Sequence, residues 1–135
     1  MNKTKKARVL MAKHILECHD RGVKTMIRML RDSGVEVIYT IYRTPEDIIA
    51  AALEEDVDVI GLSFFSGAYF ENIPTLMNLM EKNGLQDIIV VVGGLIPDVD
   101  EPELLKLGIK SVFGPGSDIS KFIDLVKDHA RARAN

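Results

Sequence analysis

The side chains best suited to chemistry lie in one short stretch, Glu17-Cys18-His19-Asp20-Arg21-Gly22. This stretch follows an apolar run at 7–12 and precedes an amphipathic segment that begins near Val23. The order predicts a loop at the carboxyl end of a first strand, the edge at which open α/β sheets bind ligands. A carboxylate that holds one ring nitrogen of a histidine fixes its tautomer and makes the other nitrogen a better metal ligand. His19 is therefore the candidate metal ligand, and Glu17 its partner.

Length, composition and charge limit the classes of function. The chain has 135 residues, enough for one domain with a core, and its 47% hydrophobic and 27% charged residues are ordinary for a globular protein. A net charge of −3 gives no reason to expect nucleic acid. No apolar run reaches membrane-spanning length or forms a signal peptide, and Cys18 is the single cysteine, which excludes an internal disulfide. We predict one cytoplasmic domain over 1–135, with flexible ends at 1–6 and 131–135.

Apolar strand-like runs alternate with amphipathic helical segments. The predicted strands are Arg8–Ala12, Val35–Ile41, Val57–Leu62, Ile88–Val92 and Ser111–Phe113. The predicted helices are Val23–Asp32, Pro45–Glu55, Ile73–Lys82, Glu101–Leu107 and Ile119–Ala130. All strands but the last are nearly continuous in Val, Ile and Leu, which is typical of strands covered on both faces. The alternation predicts an α/β fold with a five-stranded parallel sheet in the order 2-1-3-4-5 and helices on both faces, a flavodoxin-like or Rossmann-like three-layer arrangement.

Small and turn-forming residues collect at the carboxyl ends of these predicted strands. The loop with His19 follows the first strand, 63–67 follows the third, Gly93-Gly94 follows the fourth and 113–117 follows the fifth. Glycine lets backbone approach a ligand closely. Each loop alone is explained by the need for a turn. Four such loops at one edge, with a histidine among them, predict a ligand crevice.

Together these motifs resemble the cobalamin-binding domain of the adenosylcobalamin-dependent acyl-CoA mutases, such as the methylmalonyl-CoA mutase type. The resemblance is greatest to the form made as a separate small subunit, and it covers Arg8 to about Val126. The family's Asp-x-His-x-x-Gly, Ser-x-Leu and Gly-Gly motifs align with 17–22, 63–65 and 93–94. The mutase-type ending Phe-Gly-Pro-Gly, followed by a hydroxyl residue, aligns with 113–117.

The resemblance implies a role for each matched position. His19 would be the lower axial ligand of cobalt, Glu17 would hold its far nitrogen, and Lys13 would complete the relay. Further cofactor-binding residues are implied along the slot for the displaced nucleotide tail and in the loops beside it: Asp20, Arg21, Gly22, Ser63, Phe65, Ser66, Gly93, Gly94, Phe113, Gly114, Pro115, Gly116 and Ser117. The implied cofactor is adenosylcobalamin, and no catalytic residue is expected in this chain.

The resemblance also implies a partner. A large barrel subunit would bind the acyl-CoA and choose the substrate, and the small chain would be inactive alone. We expect the interface core to be an aromatic rim at the carboxyl edge, made by Phe64, Phe65, Tyr69, Phe70 and Phe113. A homo-oligomer through another face is compatible with the sequence.

Several positions depart from the family's pattern. Glu17 replaces the signature aspartate, Cys18 and Ile15 stand where mutases have glycine, and Phe65 replaces the leucine of the Ser-x-Leu motif. Side chains at the two glycine positions restrict the loop to conformations open to residues with a Cβ. These departures leave open an alternative, a stand-alone or degenerate corrinoid-binding module for sensing or storage, without mutase activity.

Three other classes fit less well. A receiver domain needs an aspartate at the end of the third strand, where this chain has Leu62-Ser63. A flavin carrier needs a small, hydroxyl-rich phosphate loop after the first strand, where Glu17, His19 and Asp20 are unfavourable. A zinc site at His14, Cys18 and His19 lacks a second cluster of metal-type ligands.

Overall fold

Strands and helices alternate along the chain. The computed structural model describes residues 6–17, 21–64, 69–114 and 116–134. Its strands are β1 (Arg8–His14), β2 (Glu36–Tyr42), β3 (Val59–Phe64), β4 (Ile89–Gly94) and β5 (Ser111–Phe113). Its helices are α1 (Arg21–Asp32), α2 (Pro45–Glu55), α3 (Tyr69–Lys82), α4 (Glu101–Lys106) and α5 (Ile119–Ala134), with a 3-10 turn at Asp98–Asp100. No helix in these ranges combines the length and apolar character needed to cross a membrane.

The five strands form one parallel sheet in the order β2-β1-β3-β4-β5, which confirms the predicted fold. Lys13 of β1 pairs in register with Ser63 of β3, and Ser63 pairs with Gly93 of β4. The polar and glycine residues at the strand ends therefore lie side by side across the middle of the sheet. This is the edge at which parallel α/β sheets bind ligands.

A separate apolar core covers each face of the sheet. On one face Leu10, Ile60 and Val92 belong to a core that includes residues of α2, α3 and α4. On the other, Val9 and Val59 pack in a core with residues of α1 and α5. Because successive residues of a strand point to opposite faces, burial on both faces requires nearly continuous apolar runs.

The central strands run further toward the carboxyl edge than the apolar pattern predicts. They continue past Ala12, Leu62 and Val92 to His14, Phe64 and Gly94. Residues such as Lys13 and Gly93 interrupt an apolar run, but their backbone groups still form the parallel ladder. The candidate cofactor-binding residues Lys13, Ser63 and Gly93 therefore lie on hydrogen-bonded strand ends.

Two helices, α3 and α5, differ from their predicted bounds by four residues. Helix α3 begins at Tyr69 rather than Ile73, and the buried Tyr69 donates its hydroxyl hydrogen to the carboxylate of Asp100. Helix α5 continues to Ala134, four residues beyond the predicted end at Ala130. The cause is Arg133, which donates to the backbone oxygen of Val57 and to the carboxylate of Asp58. Of the predicted flexible end at 1–6, residues 1–5 lie outside the described residues.

Candidate cofactor-binding site

A narrow slot opens at the carboxyl edge, between the sheet and helices α1 and α5. Among the described residues it is lined by Met11, Gly22, Val23, Met26, Gly61, Leu62, Ser63, Val91, Val92, Gly93, Gly94, Phe113 and Phe122. It encloses about 60 Å³ and its walls are mostly apolar. The slot thus brings together four of the predicted regions: the start of α1, the ends of β3 and β4, and the beginning of the 113–117 loop.

Glycines create this slot. A Cβ on Gly61 would lie 2.6 Å from the sulfur of Met11, and one on Gly93 would lie 3.3 Å from the backbone oxygen of Phe113. Gly94 has a φ of +123°, and a Cβ there would lie 1.8 Å from the backbone oxygen of Phe64. Gly94 is thus required by the backbone itself, whereas Gly61 and Gly93 keep space that a side chain would fill.

Lys13 and Ser63 bring polar groups to the same face of the sheet as the slot. Both are more than nine-tenths buried, at 7% and 6% exposure, and they are neighbours in the β1–β3 register. Lys13 forms no ion pair with any residue that the structure describes. Since a buried charge is costly without a partner, Lys13 favours an anionic group nearby. The predicted relay through Glu17 would meet that need.

The structure describes the chain up to Glu17, two residues before the predicted metal-ligating His19. His19 lies outside the described residues, together with Cys18 and Asp20. Glu17 is half-buried at the end of the preceding turn, and its N–H donates to the backbone oxygen of His14 at 2.9 Å. Burial, with a contribution from the negative charge of Glu17, raises the pKa of Tyr42 to about 12. The Glu17 carboxylate is therefore near the carboxyl end of β2.

The other predicted residues divide between the slot and its exterior. Phe113 lines the slot and packs against Phe122, with ring centroids 5.1 Å apart. Arg21, Gly116 and Ser117 are exposed outside it, although Ser117 closes a turn by donating its N–H to Gly114 at 3.1 Å. Three further predicted residues, Phe65, Ser66 and Pro115, lie outside the described parts of the chain.

The expected aromatic rim is wrong in part. Phe64 and Tyr69 are 1% and 2% exposed, because they point into the core on the α2, α3 and α4 face of the sheet. Phe70 remains exposed at 39%, and Phe113 is half-buried in the slot wall. Aliphatic residues from the loops and the 3-10 turn at this edge are more exposed than the aromatic ones: Leu16, Leu95 and Val99.

Sequence reasoning missed several slot residues. Met11 and Met26 read as ordinary core residues because both lie in apolar patterns. Gly61 could have been predicted as a slot residue, because it interrupts the apolar run of β3. A glycine inside a strand often marks a close approach by a ligand or by another segment of backbone.

Comparison with known proteins identifies the family. A model of the B12 binding domain matches residues 7–122. The chain belongs to the B12-binding domain family. It is 42% identical over 127 residues to the 2-hydroxyisobutanoyl-CoA mutase small subunit of Aquincola tertiaricarbonis, covering 93% of both chains. It is 39% identical over 124 residues to the pivalyl-CoA mutase small subunit of Xanthobacter autotrophicus, covering 91% of this chain and 83% of that one.

A solved structure shows the same fold in this B12-binding domain. A cobalamin-binding protein from Desulfitobacterium hafniense superposes with a TM-score of 0.76 over 93% of this chain and 60% of that chain. The two sequences are 17% identical, so the likeness concerns the fold.

The lining of the slot suits one part of the family's cofactor in its chemistry, although the volume of the slot is smaller than that part requires. Its glycine floor and apolar walls suit a flat heterocycle such as the nucleotide base of cobalamin. A volume of about 60 Å³ holds a few water molecules, less than a two-ring base requires. Met11 and Met26 line this space, and unbranched thioether side chains change rotamer easily. Entry of the base would therefore require these methionines to turn aside.

Proposed function

We propose that this chain is the cobalamin-binding small subunit of a heteromeric, adenosylcobalamin-dependent acyl-CoA mutase, with His19 as the lower axial ligand of cobalt. The observation that carries the proposal is the glycine-floored slot at the carboxyl edge, whose lining includes Gly22, three residues after His19 in the sequence. The family match over 7–122 and the names of the two small-subunit relatives support it.

The residues of this chain would bind and orient the cofactor. Glu17 would hold the far nitrogen of His19, and the buried Lys13 would balance the charge of Glu17. Gly61 and Gly93 would leave room for the nucleotide base, and Ser63 would offer its hydroxyl in the slot. When bound, adenosylcobalamin would supply the radical chemistry of the isomerisation.

The acyl-CoA would be bound by a large barrel subunit docked over the same edge. Two observations support a partner here: the relatives are named small subunits, and apolar side chains of Leu16, Leu95 and Val99 are more than half exposed. Exposed apolar groups at an edge that also binds a ligand are typical of an interaction surface. A closed site would also keep water away from a radical.

The axial ligand can be tested by electron paramagnetic resonance of cob(II)alamin bound to the purified chain. We expect splitting from one protein nitrogen, which changes its pattern when the protein is made with ¹⁵N-labelled histidine. His19→Ala should abolish that change, while the matched control His129→Ala, on α5, should keep it. A spectrum in which the cofactor's own base stays on cobalt in the wild-type chain would refute the axial role of His19.

A further inference from the structure

The imidazole of His14 joins the loop after β1 to the end of β2. Its Nδ1 atom accepts the N–H of Leu16 at 3.0 Å, and its Nε2 atom lies 3.1 Å from the backbone oxygen of Arg43. An N–H group can only donate and a carbonyl oxygen can only accept. The two contacts therefore specify one neutral tautomer, with the hydrogen on Nε2.

The ring is also held from the side. His14 and Tyr42 are partners in the β1–β2 register, and their rings pack edge to face with centroids 5.2 Å apart. Tyr42 is completely buried. The imidazole therefore packs against a buried side chain, and a change of its rotamer would break two hydrogen bonds and a ring contact.

As a consequence, each of the first three residues of the loop donates its backbone N–H to a hydrogen bond. Ile15 donates to the backbone oxygen of Tyr42 at 2.8 Å, Leu16 donates to the His14 ring, and Glu17 donates to the backbone oxygen of His14 at 2.9 Å. Ile15 and Cys18 stand at two positions where the resembled mutases have glycine. The His14 ring supplies a side-chain contact that holds residues 15–17 in one path.

We propose that His14 is a positioning residue for cobalamin binding: it clamps residues 15–17 to β2 and so sets where Glu17 and His19 stand. The inference rests on the proposed function, because the loop matters only if His19 meets cobalt. His14 would act through the loop, since its side chain lies on the opposite face of the sheet from the slot.

Two variants separate the hydrogen bonds of His14 from its packing. His14→Phe keeps a ring against Tyr42 but has no nitrogen, whereas His14→Asn keeps an acceptor near the position of Nδ1. In the ligand-free chain, we expect the Leu16 amide hydrogen to exchange about fivefold faster or more in His14→Phe, and near the wild-type rate in His14→Asn. Cobalamin should bind about tenfold more weakly to His14→Phe, with partial recovery in His14→Asn.

A measurement on the unmodified chain keeps the inference testable if His14→Phe does not fold. Nitrogen NMR of the His14 ring at neutral pH should show one tautomer, with hydrogen on Nε2; a mixture of tautomers would overturn the clamp. So would unchanged Leu16 exchange and unchanged affinity in a folded His14→Phe variant, or equal losses in His14→Phe and His14→Asn. If the wild-type chain binds no cobalamin, the proposed function fails, and this inference fails with it. That result is distinct from the others because it is obtained without any change at residue 14.

Discussion

The acid before the predicted ligand is the residue whose chemistry matters most. Glu17 has one methylene more than the family's aspartate, an extra reach of about 1.5 Å. Its N–H is bonded to the backbone oxygen of His14, so the extra length must be absorbed by the side chain or by the residues that follow. Lys13 is buried and forms no ion pair with a residue that the structure describes, and in the proposed relay it would be the cation that balances an ionised Glu17.

Glu17→Gln tests whether this carboxylate orients His19. The amide keeps the size but loses the charge, so we expect cobalamin to bind about 10–100-fold more weakly, the usual effect of losing a partner of a metal ligand. The measurement is a titration followed by cobalamin absorbance. Glu54→Gln, an exposed position on α2, is the matched control and should bind like the wild type. Equal affinities of all three proteins would show that Glu17 has no part in binding.

Returning the loop to the family's pattern is a separate test. The double variant Glu17→Asp, Cys18→Gly restores both the shorter acid and the glycine before His19. We expect binding equal to or tighter than that of the wild type in the same titration. Weaker binding would mean that the loop has a geometry of its own, suited to glutamate.

Gly61→Ala tests the slot. The new Cβ would lie 2.6 Å from the sulfur of Met11, so the thioether must move, and the free space beside it is the slot. One methyl group too many in a close-fitting pocket changes affinity by about tenfold or more, and we expect weaker cobalamin binding of that size. Adding Met11→Ala should recover part of the loss by making room. No loss in a folded Gly61→Ala variant would place the ligand elsewhere.

At the scale of elements, the alternation of apolar runs was enough to predict the sheet. Each run of Val, Ile and Leu became a strand in the predicted order, because burial on both faces demands such runs. The strand ends were harder to predict, since Lys13, Ser63 and Gly93 interrupt the apolar pattern while keeping the backbone ladder.

The site was predictable only where a residue type carried the signal. Ser63, Gly93 and Gly94 were expected and line the slot. Met11 and Met26 were not, because a methionine that lines a slot and one that fills a core share the same apolar pattern. The aromatic rim failed at Phe64 and Tyr69 since sequence alone did not say to which side each would turn.

The carboxyl-terminal half of α5 is held by ion pairs as well as by the packing of Ala130. Arg133 donates to Asp58 at 2.7 Å and to Asp87 at 3.1 Å, and the Asp58 side chain is only 2% exposed. These carboxylates raise the pKa of Arg133 although burial alone would lower it. Asp58 also accepts the backbone N–H of Arg8, which ties the start of β1 to the same cluster.

Arg133→Met should therefore destabilise the fold. It leaves Asp58 buried with one partner fewer, and breaking such a pair costs about 3 kcal/mol. Arg131→Met is the matched control on the same helix, because Arg131 pairs with Asp128 in solvent, where an ion pair contributes about 0–1 kcal/mol. Urea unfolding of both variants measures the difference. Equal urea midpoints of the two variants would mean that the ion pairs of Arg133 with Asp58 and Asp87 do not hold α5.

At the scale of the molecule, the amino-terminal and carboxyl edges of the sheet differ in the residues that they contain. The amino-terminal edge carries the ion pairs of Arg8, Asp58 and Arg133 and closes the fold. The carboxyl edge carries the slot and the exposed aliphatic residues Leu16, Leu95 and Val99. If the carboxyl edge binds the cofactor and the partner as proposed, surface changes there should affect assembly more than folding.

We expect no mutase activity from the chain alone with adenosylcobalamin and a panel of acyl-CoA thioesters, and activity once a large acyl-CoA-binding subunit is added. If the carboxyl edge is the interface, Leu95→Lys should weaken assembly and activity by about tenfold or more, because a charge would replace an apolar contact. Leu53→Lys is the matched control: Leu53 is 52% exposed and Leu95 55%, but Leu53 lies near the carboxyl end of α2, toward the opposite edge of the sheet.

The outcomes separate the remaining hypotheses. Both variants should bind cobalamin as the wild type does, since neither residue lines the slot, and only Leu95→Lys should raise the amount of large subunit needed for half-maximal activity. Equal effects of the two substitutions would move the interface away from the carboxyl edge. Turnover by the isolated chain would overturn the two-subunit proposal. Cobalamin binding without turnover, even with the partner, would favour a corrinoid sensor or storage module, and the changes at Ile15, Glu17 and Cys18 would then mark a site kept for binding alone.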